Sequence, residues 1–540
     1  MNGIQEKLDT RLFIGLILIA YTFSIAIRLI WVFQFQDNPN FYWNDQLMIN
    51  TNDGYAYAEG ARDMLAGFHQ DNDLSYYATA LSSVTYLLAK ILPFSFETII
   101  LYMPAFFGSL LVIPVMLIAR VLKQDIMGLL AGLLAGIVWS YYNRTMTGYY
   151  DTDMLTIVLP TFVLWSLIFN IQEEKNRYLL LIPAFIIAYS WWYAQSYSLN
   201  IAMAFMVFIY TVVFEREKLF NYKILIFMFI AMSYFAWEYK IIASLALFLA
   251  FHFIEKANTK KVIFILLAVA FASILLTGGL NPILYQIKGY IFREAVAGEL
   301  DLNLHFFGVT QTVREAGKIP FEVFANRISG HSVTFFLSLI GYILLALRYR
   351  IMWLALPMLG LGFLAYKGGL RFTVYAVPVM ALGMAYFIIW SSKFLERFIF
   401  IDKTLSIAKK AYISMFTLAV LYPNILHVIE YKVPTVFTKS EVQILDQLGS
   451  MADREDYVVS WWDYGYPIRY YSDVKTLIDG GKHTGKDNFP VSFALTNPPL
   501  GAANMIRLDV EYTERSFTEN FSSNLLKEMQ DYNMSDVINL

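Results

Sequence analysis

Four acidic side chains in three short motifs are the residues of this chain best suited to chemistry. They are Asp53, Asp151, Asp153 and Glu315. Asp151 and Asp153 form an Asp-x-Asp pair with no His or Cys beside it, and such a pair suits a hard cation that prefers oxygen ligands. The motifs predict a Mg²⁺ or Mn²⁺ site. The alternative for the Asp pair is N-capping of the helix that follows.

Basic and aromatic side chains flank these carboxylates along the chain. Arg144 precedes the Asp pair, and Arg371 follows a Gly-Gly dipeptide that permits close backbone approach. A guanidinium suits bidentate binding of phosphate, although a flexible turn explains Arg371 equally well. Tyr193 ends the run Trp191-Trp192-Tyr193, which fits either a belt at the membrane interface or contact with a sugar or lipid.

A second aromatic motif, the pentad Trp461-Trp462-Asp463-Tyr464-Gly465, lies near the C-terminus. Trp carries a large apolar ring and only one hydrogen-bond donor, so adjacent Trp residues on a solvated module need packing or a ligand. The pentad is therefore either a buried aromatic cluster or a surface that grips a polar ligand.

The elements that must position these residues are membrane helices. The 540 residues are 58% hydrophobic and 16% charged, with a mean hydropathy of +0.50, whereas soluble domains have roughly 25% charged residues. The composition predicts a polytopic α-helical membrane protein. A net charge of −2 argues against a nucleic-acid partner, and the lack of Cys excludes disulfides and thiol chemistry.

Apolar windows of spanning length predict about thirteen transmembrane helices. The windows are 12–33, 97–119, 126–141, 154–170, 178–192, 198–214, 223–237, 240–254, 262–278, 332–347, 351–366, 372–390 and 411–429.

The basic residues of the short loops predict the orientation, because Lys and Arg are retained in the cytoplasm. With a cytoplasmic N-terminus they concentrate on the cytoplasmic side, and the other side holds Arg144, Lys367 and Arg371. Two long external loops, 34–96 and 279–331, then share a side with the tail. We predict a transmembrane catalytic domain over residues 1–430 and a small external mixed α/β domain over 431–540.

Four motifs follow one another along the chain: the Asp53 site, the Asp-x-Asp pair, Thr312-Val313-Arg314-Glu315 and the pentad. In these motifs and in their order, the chain resembles the bacterial single-subunit oligosaccharyltransferases of the PglB type over its whole length. The resemblance implies a membrane glycosyltransferase C-type architecture and a monomer in the bacterial inner membrane, with its active site facing the periplasm. It also implies Mn²⁺ or Mg²⁺ as the cofactor.

The activity that the resemblance implies is transfer of a preassembled glycan from a polyprenyl pyrophosphate to a protein. The acceptor is the Asn side-chain amide in Asp/Glu-x-Asn-x-Ser/Thr. The alternative is another membrane glycosyltransferase that uses a polyprenyl-phosphate sugar, which would have no need of the pentad.

The resemblance also assigns roles to residues. Asp53, Asp151, Asp153 and Glu315 surround the metal, and Asp53 and Glu315 also hold the acceptor amide. The catalytic set is Asp53, Asp151, Glu315 and Arg371. Arg371, Tyr193 and Arg144 contact the donor. Trp461, Trp462 and Asp463 hold the hydroxyl at +2, and Arg327 pairs with the acidic residue at −2.

Three departures from the family pattern accompany the resemblance. The first motif begins Thr51-Asn52-Asp53, so only its last Asp is available as a ligand. Val313 replaces the commoner Ile, and family members continue beyond the position of Leu540 into a region with a Met/Ile motif. The chain is therefore expected to be C-terminally truncated, with an incomplete sequon-binding domain. Asn533 lies in an Asp-x-Asn-x-Ser sequence and is a candidate for self-glycosylation.

Overall fold

The computed structural model describes residues 8–69, 74–277, 279, 281, 317–483 and 485–518. The predicted ligand Glu315, the rest of its motif and Asn533 lie outside the described residues. The described part of the chain is predominantly helical and carries two small sheets.

Nineteen helices are described up to Glu430. They are α1 (Thr10–Phe35), α2 (Asn52–Ala66), α3 (Ala80–Ile91), α4 (Phe96–Ser109), α5 (Val112–Val121), α6 (Asp125–Ala135), α7 (Trp139–Tyr142), α8 (Asp153–Thr156), α9 (Val158–Glu173), α10 (Leu181–Trp192), α11 (Ser196–Phe214), α12 (Leu219–Met232), α13 (Trp237–Phe253), α14 (Lys260–Leu276), α15 (Phe321–Ser329), α16 (Ser332–Arg348), α17 (Leu356–Gly368), α18 (Val377–Ser392) and α19 (Asp402–Glu430).

Seven helical segments in the described part are long and apolar enough to cross a membrane. They are Thr10–Phe35, Phe96–Val121, Asp153–Glu173, Ser196–Phe214, Arg350–Gly368, Leu370–Arg397 and Asp402–Glu430. An eighth span results if α15 and α16, which meet at a bend of 65°, count as one. The chain is thus a helical membrane protein, as predicted.

The remaining apolar windows also fall on helices, but on shorter ones. These are α6, α10, α12, α13 and α14, which have 11 to 17 residues. Crossing a bilayer takes about 20 residues in a straight helix. The count of about thirteen spans therefore stays a prediction.

The first long loop forms a small structured layer. It begins with a two-residue hairpin, β1 (Tyr42–Trp43) and β2 (Gln46–Leu47), whose turn residues Asn44 and Asp45 both have positive φ. Such a turn matches the twist of the two strands. It continues into α2, a helix rich in Ala.

The tail follows the long α19. Its described part contains α20 (Lys439–Met451), α21 (Gly465–Ser472), α22 (Gly485–Thr496) and α23 (Pro499–Thr518). Two short strands, β3 (Tyr457–Val458) and β4 (Lys475–Thr476), pair in parallel. The described part of the tail thus contains both helices and strands, but the strands have only two residues each.

The tail packs onto the first loop through α2 and α21. Tyr466 belongs to the same buried apolar core as the membrane helices. The hydroxyls of Tyr55 and Tyr471 are 2.9 Å apart, and those of Tyr76 and Tyr466 are 2.7 Å apart. The tail is thereby attached directly to the helix that carries Asp53.

Candidate active site

Asp53 stands in the first turn of α2. A helix N-terminus favours a negative charge, because the backbone N–H groups there have no partners within the helix. The next residue, Gly54, lies so close to the Asp151 segment that a Cβ on it would be 2.5 Å from the carbonyl oxygen of Tyr150. The missing side chain lets α2 approach, and the structure brings Asp53 beside Asp151.

The Asp pair occupies the turn that leads into α8. The N-cap of α8 is Thr152, whose side chain makes no capping hydrogen bond. Asp151 instead accepts a hydrogen bond of 3.0 Å from the Thr152 hydroxyl, and Asp153 forms a short ion pair with Arg144. Neither Asp is therefore the N-cap, which was the alternative for this motif.

The three carboxylates influence one another electrostatically. Burial raises the pKa of Asp151 well above its ordinary value, and the charges of Asp153 and Asp53 raise it further, while Arg144 opposes them. Like charges crowded in this way favour a bound cation. Among the described residues, however, no group of three His, Cys, Asp or Glu side chains forms a metal site.

The donor set nevertheless suits a divalent cation. All three side chains offer carboxylate oxygens, which hard ions prefer. Asp53, Asp151 and Asp153 thus have the right ligand chemistry, although among the described residues they do not by themselves form a three-ligand group.

Arg28 of α1, which is fully buried, binds the segment that carries Arg144 and the Asp pair. Its Nε donates to the Thr145 carbonyl at 3.0 Å, and Nη1 donates to the Gly136 carbonyl at 2.7 Å. The Thr147 hydroxyl in turn donates to the carbonyl of Arg28 at 2.9 Å. The first helix thus fixes the loop that presents the carboxylates.

Arg371 lies in a 3-10 turn, Leu370–Ala376. The preceding Gly369 has φ of 110°, a conformation that favours glycine. Burial and the charge of Asp153 raise the pKa of Tyr193, and Arg371 and Arg144 lower it. The charges of the other two residues predicted to bind the donor therefore act on Tyr193.

Arg327, in α15, contacts the same 3-10 turn. Its Nε donates to the Thr373 hydroxyl at 3.3 Å. The residue predicted to recognise the −2 side chain is thus attached to the element that carries Arg371.

The two Trp residues before Tyr193 differ. Trp191 is 57% exposed, as a residue of an interfacial belt would be. Trp192 is buried and donates its indole N–H to the Thr152 carbonyl at 2.7 Å. Trp192 therefore supports the Asp-x-Asp turn, a role that the sequence reading did not assign.

The pentad combines packing with exposure. Trp461 is 36% exposed, whereas the Trp462 ring stacks on His483 at a centroid distance of 4.4 Å. Burial raises the pKa of Asp463, and His483 opposes that shift. The aromatic-cluster interpretation describes Trp462, while Trp461 leaves a face open to a ligand.

Sequence reasoning missed the turn that joins the pentad to Asp53. A Cβ on Gly465 would lie 2.5 Å from the Ile478 carbonyl oxygen and 2.7 Å from Asp479 Cβ. A Cβ on Gly480 would lie 3.2 Å from Asp53 Oδ1. The signal was the pair Gly480-Gly481, which comes shortly after the buried Leu477 and Ile478, since adjacent glycines mark tight turns and close approach.

Two solved structures of an archaeal oligosaccharyltransferase have a similar fold. The fold matches the apo oligosaccharyltransferase of Archaeoglobus fulgidus with a TM-score of 0.66 at 16% identity, over 92% of this chain and 69% of that one. It also matches the complex of that archaeal enzyme with an inhibitory peptide and a dolichol-phosphate, with a TM-score of 0.62 at 17% identity, over 87% of this chain and 64% of that one. The chain therefore shares the fold of this archaeal protein.

Sequence comparison then defines the family. A model described as oligosaccharyl transferase STT3, N-terminal, matches residues 13–429, and one described as the STT3/PglB/AglB core domain matches residues 454–540. The chain is 48% identical over 528 residues to undecaprenyl-diphosphooligosaccharide–protein glycotransferases of Campylobacter jejuni, over 97% of this chain and 73% of theirs. The chain belongs to the oligosaccharyltransferases of the PglB type.

Proposed function

We propose that this chain transfers a preassembled glycan en bloc from a polyprenyl pyrophosphate to the side-chain amide of Asn in protein sequons. The observation that carries the proposal is the convergence of Asp53, the Asp-x-Asp turn and the pentad around one junction between membrane helices and tail. The relatives named for this activity are 48% identical to it.

The acceptor amide needs activation, because its nitrogen lone pair is delocalised into the carbonyl. The C–N bond of a planar amide has a rotation barrier of ~18–20 kcal/mol. Asp53 would accept an N–H hydrogen bond from the amide, and Glu315 is proposed to accept the other. Two such bonds favour rotation about the C–N bond, which frees the lone pair for attack on the anomeric carbon.

The leaving group is a pyrophosphate, and the residues proposed for it are basic or carry hydroxyls. Arg371 would bind its oxygens with a bidentate fork, and Tyr193 would donate a hydrogen bond. Arg144 would act mainly by holding Asp153, as its ion pair indicates.

We propose that Asp53, Asp151, Asp153 and Glu315 hold a divalent cation, Mn²⁺ or Mg²⁺. When bound, the ion would stabilise negative charge on the pyrophosphate. The crowding of carboxylates around Asp151 supports this assignment.

Sequon recognition would lie in the tail. Trp461, Trp462 and Asp463 would bind the hydroxyl at +2, and a site built to bond a hydroxyl rejects residues that lack one. Arg327 would pair with an acidic residue at −2. The pentad also favours this function over a glycosyltransferase without a peptide acceptor.

The remaining architectural proposals follow from the family. We assign residues 1–430 to a transmembrane catalytic domain of about thirteen spans and residues 431–540 to a mixed α/β sequon-binding domain. The enzyme would work as a monomer in the bacterial inner membrane, with its site facing the periplasm.

The test uses purified chain, lipid-linked oligosaccharide, Mn²⁺ and a fluorescent Asp-x-Asn-x-Thr peptide. We expect a mobility shift that Asp53→Ala combined with Glu315→Ala abolishes and that chelation of the metal abolishes reversibly. Glu217→Ala, which removes an exposed carboxylate, is the matched control and should preserve the shift. Absence of transfer by the unmodified chain, or undiminished transfer by the double variant, would refute the proposal.

A further inference from the structure

A buried ion triad lies where the tail meets the first loop. Arg469 of α21 is 2% exposed and stands between two carboxylates. Its Nε is 3.0 Å from Glu59 Oε2, and its Nη1 is 2.6 Å from Asp479 Oδ2. Glu59 belongs to α2 and Asp479 to the turn after β4, so one guanidinium joins three elements.

Backbone groups of the protein also form hydrogen bonds with the side chains of the triad. Asp479 Oδ1 accepts the backbone N–H groups of Gly481 and Lys482, each at 2.8 Å. Arg469 Nη2 donates to the Leu74 carbonyl at 3.3 Å. Burial lowers the pKa of Arg469, but Glu59 and Asp479 outweigh it and raise the pKa above its ordinary value. The guanidinium therefore stays charged and its geometry is fixed.

The triad lies between the two halves of the proposed acceptor site. Gly465, the last residue of the pentad, packs on Asp479, and Gly480 packs on Asp53. Moving Asp479 therefore moves both the support of the pentad and the residue that touches Asp53.

Other contacts hold the same interface. The Tyr55 hydroxyl bonds that of Tyr471 near the start of α2, and Arg62, beyond Glu59 in α2, donates to the Tyr470 carbonyl at 2.6 Å. The bonded hydroxyls of Tyr76 and Tyr466 pack directly on the turn at Gly480 and Gly481. They keep the tail docked when the triad is weakened. Loss of one charge in the triad is thus expected to shift the turn without releasing the tail.

We propose that Glu59, Arg469 and Asp479 are positioning residues that set the separation between Asp53 and the pentad. That separation determines which spacing between the acceptor Asn and the +2 hydroxyl the enzyme accepts. The inference rests on the proposed function, because it concerns the acceptor site of that reaction.

The first experiment measures peptide kinetics of Glu59→Gln and Arg469→Lys. We expect KM for an Asp-x-Asn-x-Thr peptide to rise about tenfold, the scale of one charge-assisted hydrogen bond, with kcat changing less than about threefold. The preference for Thr over Ala at +2 should fall about tenfold, because a displaced pocket bonds the hydroxyl poorly.

The matched control is Asp125→Asn, which weakens another buried ion pair, Arg120 with Asp125 at 2.9 Å, near the N-terminus. A role limited to stability lowers the amount of active enzyme for every peptide alike, and the control should behave in that way. If Glu59→Gln matches the control in KM and in the Thr-to-Ala preference, the inference is wrong.

Different results would reject the proposed function and the positioning role. No transfer by the unmodified chain rejects the proposed function, whereas transfer with unchanged sequon preference in the triad variants rejects only the positioning role.

A distance measurement tests the inference without activity. The chain has no Cys, so spin labels can be placed at Ala66 of α2 and Tyr464 of the pentad, both exposed, without background labelling. We expect one narrow distance distribution in the parent and a broader or shifted one in Arg469→Lys. An unchanged distribution in a folded Arg469→Lys protein would overturn the inference.

Discussion

Two buried arginines in this chain are stabilised by different kinds of partner. Arg28, in the first membrane helix, is surrounded by neutral oxygens of Ser24, Gly136 and Thr145. Arg469, between the tail and the first loop, is surrounded by the carboxylates of Glu59 and Asp479. Both side chains are almost completely withdrawn from solvent.

The difference determines what each site tolerates. Neutral acceptors spread the binding of Arg28 over several weak partners, none of which becomes a buried ion when the arginine is removed. Carboxylates bind Arg469 more strongly, but they become unpaired buried charges without it. Removal of Arg28 should therefore leave only neutral groups unpaired, whereas removal of Arg469 leaves two buried carboxylates without their cation.

The largest effect should come from Arg469→Met. The substitution leaves Glu59 and Asp479 buried without a cation, so we expect a loss of about 3–5 kcal/mol in stability of the tail interface. Limited proteolysis of the tail and thermal unfolding in detergent measure it. Adding Glu59→Gln and Asp479→Asn to Arg469→Met removes the stranded charges, and this triple variant should recover part of the loss.

Arg28→Met should cost less. Its hydroxyl partners keep acceptors, because Thr145 Oγ1 donates to the Tyr141 carbonyl at 2.6 Å and Ser24 Oγ donates to the Gly136 carbonyl at 3.3 Å. We expect a loss of about 1–3 kcal/mol, measured by the same thermal unfolding. A loss equal to that of Arg469→Met would remove the distinction between the two sites.

Gly480→Ala tests the turn that the triad holds. The new Cβ would lie 2.7 Å from the Tyr466 ring and 3.2 Å from Asp53 Oδ1, and the ring must shift to accept it. We expect a stability loss of about 1–2 kcal/mol and slower glycan transfer, measured by unfolding and the peptide assay. Gly360→Ala, with nothing within 4 Å of the added Cβ, is the control and should leave both unchanged.

The smallest effect concerns the half-buried carboxyl of Asp509 in α23. The nearby cation, Lys482, does not offset the cost of burying its charge. Burial raises its pKa to about 6, although Lys482 lowers it. Because the folded state binds its proton more tightly, the tail should lose stability as pH rises from about 4 to 6 and gain none above that range. Asp509→Asn should flatten this part of the pH profile of tail unfolding, and an unchanged profile would contradict the assignment.

The sequence predicts the acidic residues of the site more readily than their supports. Asp53, Asp151 and Arg371 occur in short motifs whose residue types indicate chemistry, and the structure brings them to neighbouring elements. Glu59 was hidden in an Ala-rich helix, because its role depends on Arg469, which is 410 positions away. Pairing across such a distance is a property of packing, and no local pattern in one sequence contains it.

The same limit applies to the membrane helices. Hydropathy located every apolar window on a helix, because burial in lipid requires apolar side chains over a continuous stretch. It did not give the lengths of those helices, since α12 is almost entirely buried among its neighbours and is shorter than a straight span. The length of a helix that is covered by protein depends more on the helices it packs against than on the thickness of the bilayer.

One hydrogen bond between the first helix and the tail has a consequence for biosynthesis. The indole N–H of Trp31 in α1 donates to the carbonyl of Val433 at 2.8 Å, across 402 positions. During synthesis the first helix enters the membrane long before Val433 leaves the ribosome, so this hydrogen bond cannot form until Val433 has been synthesised. The junction between membrane helices and tail is therefore closed only after the last membrane helix has been made. Ribosome-stalled chains that end before Val433 would carry Asp53 and the Asp-x-Asp turn with that junction still open.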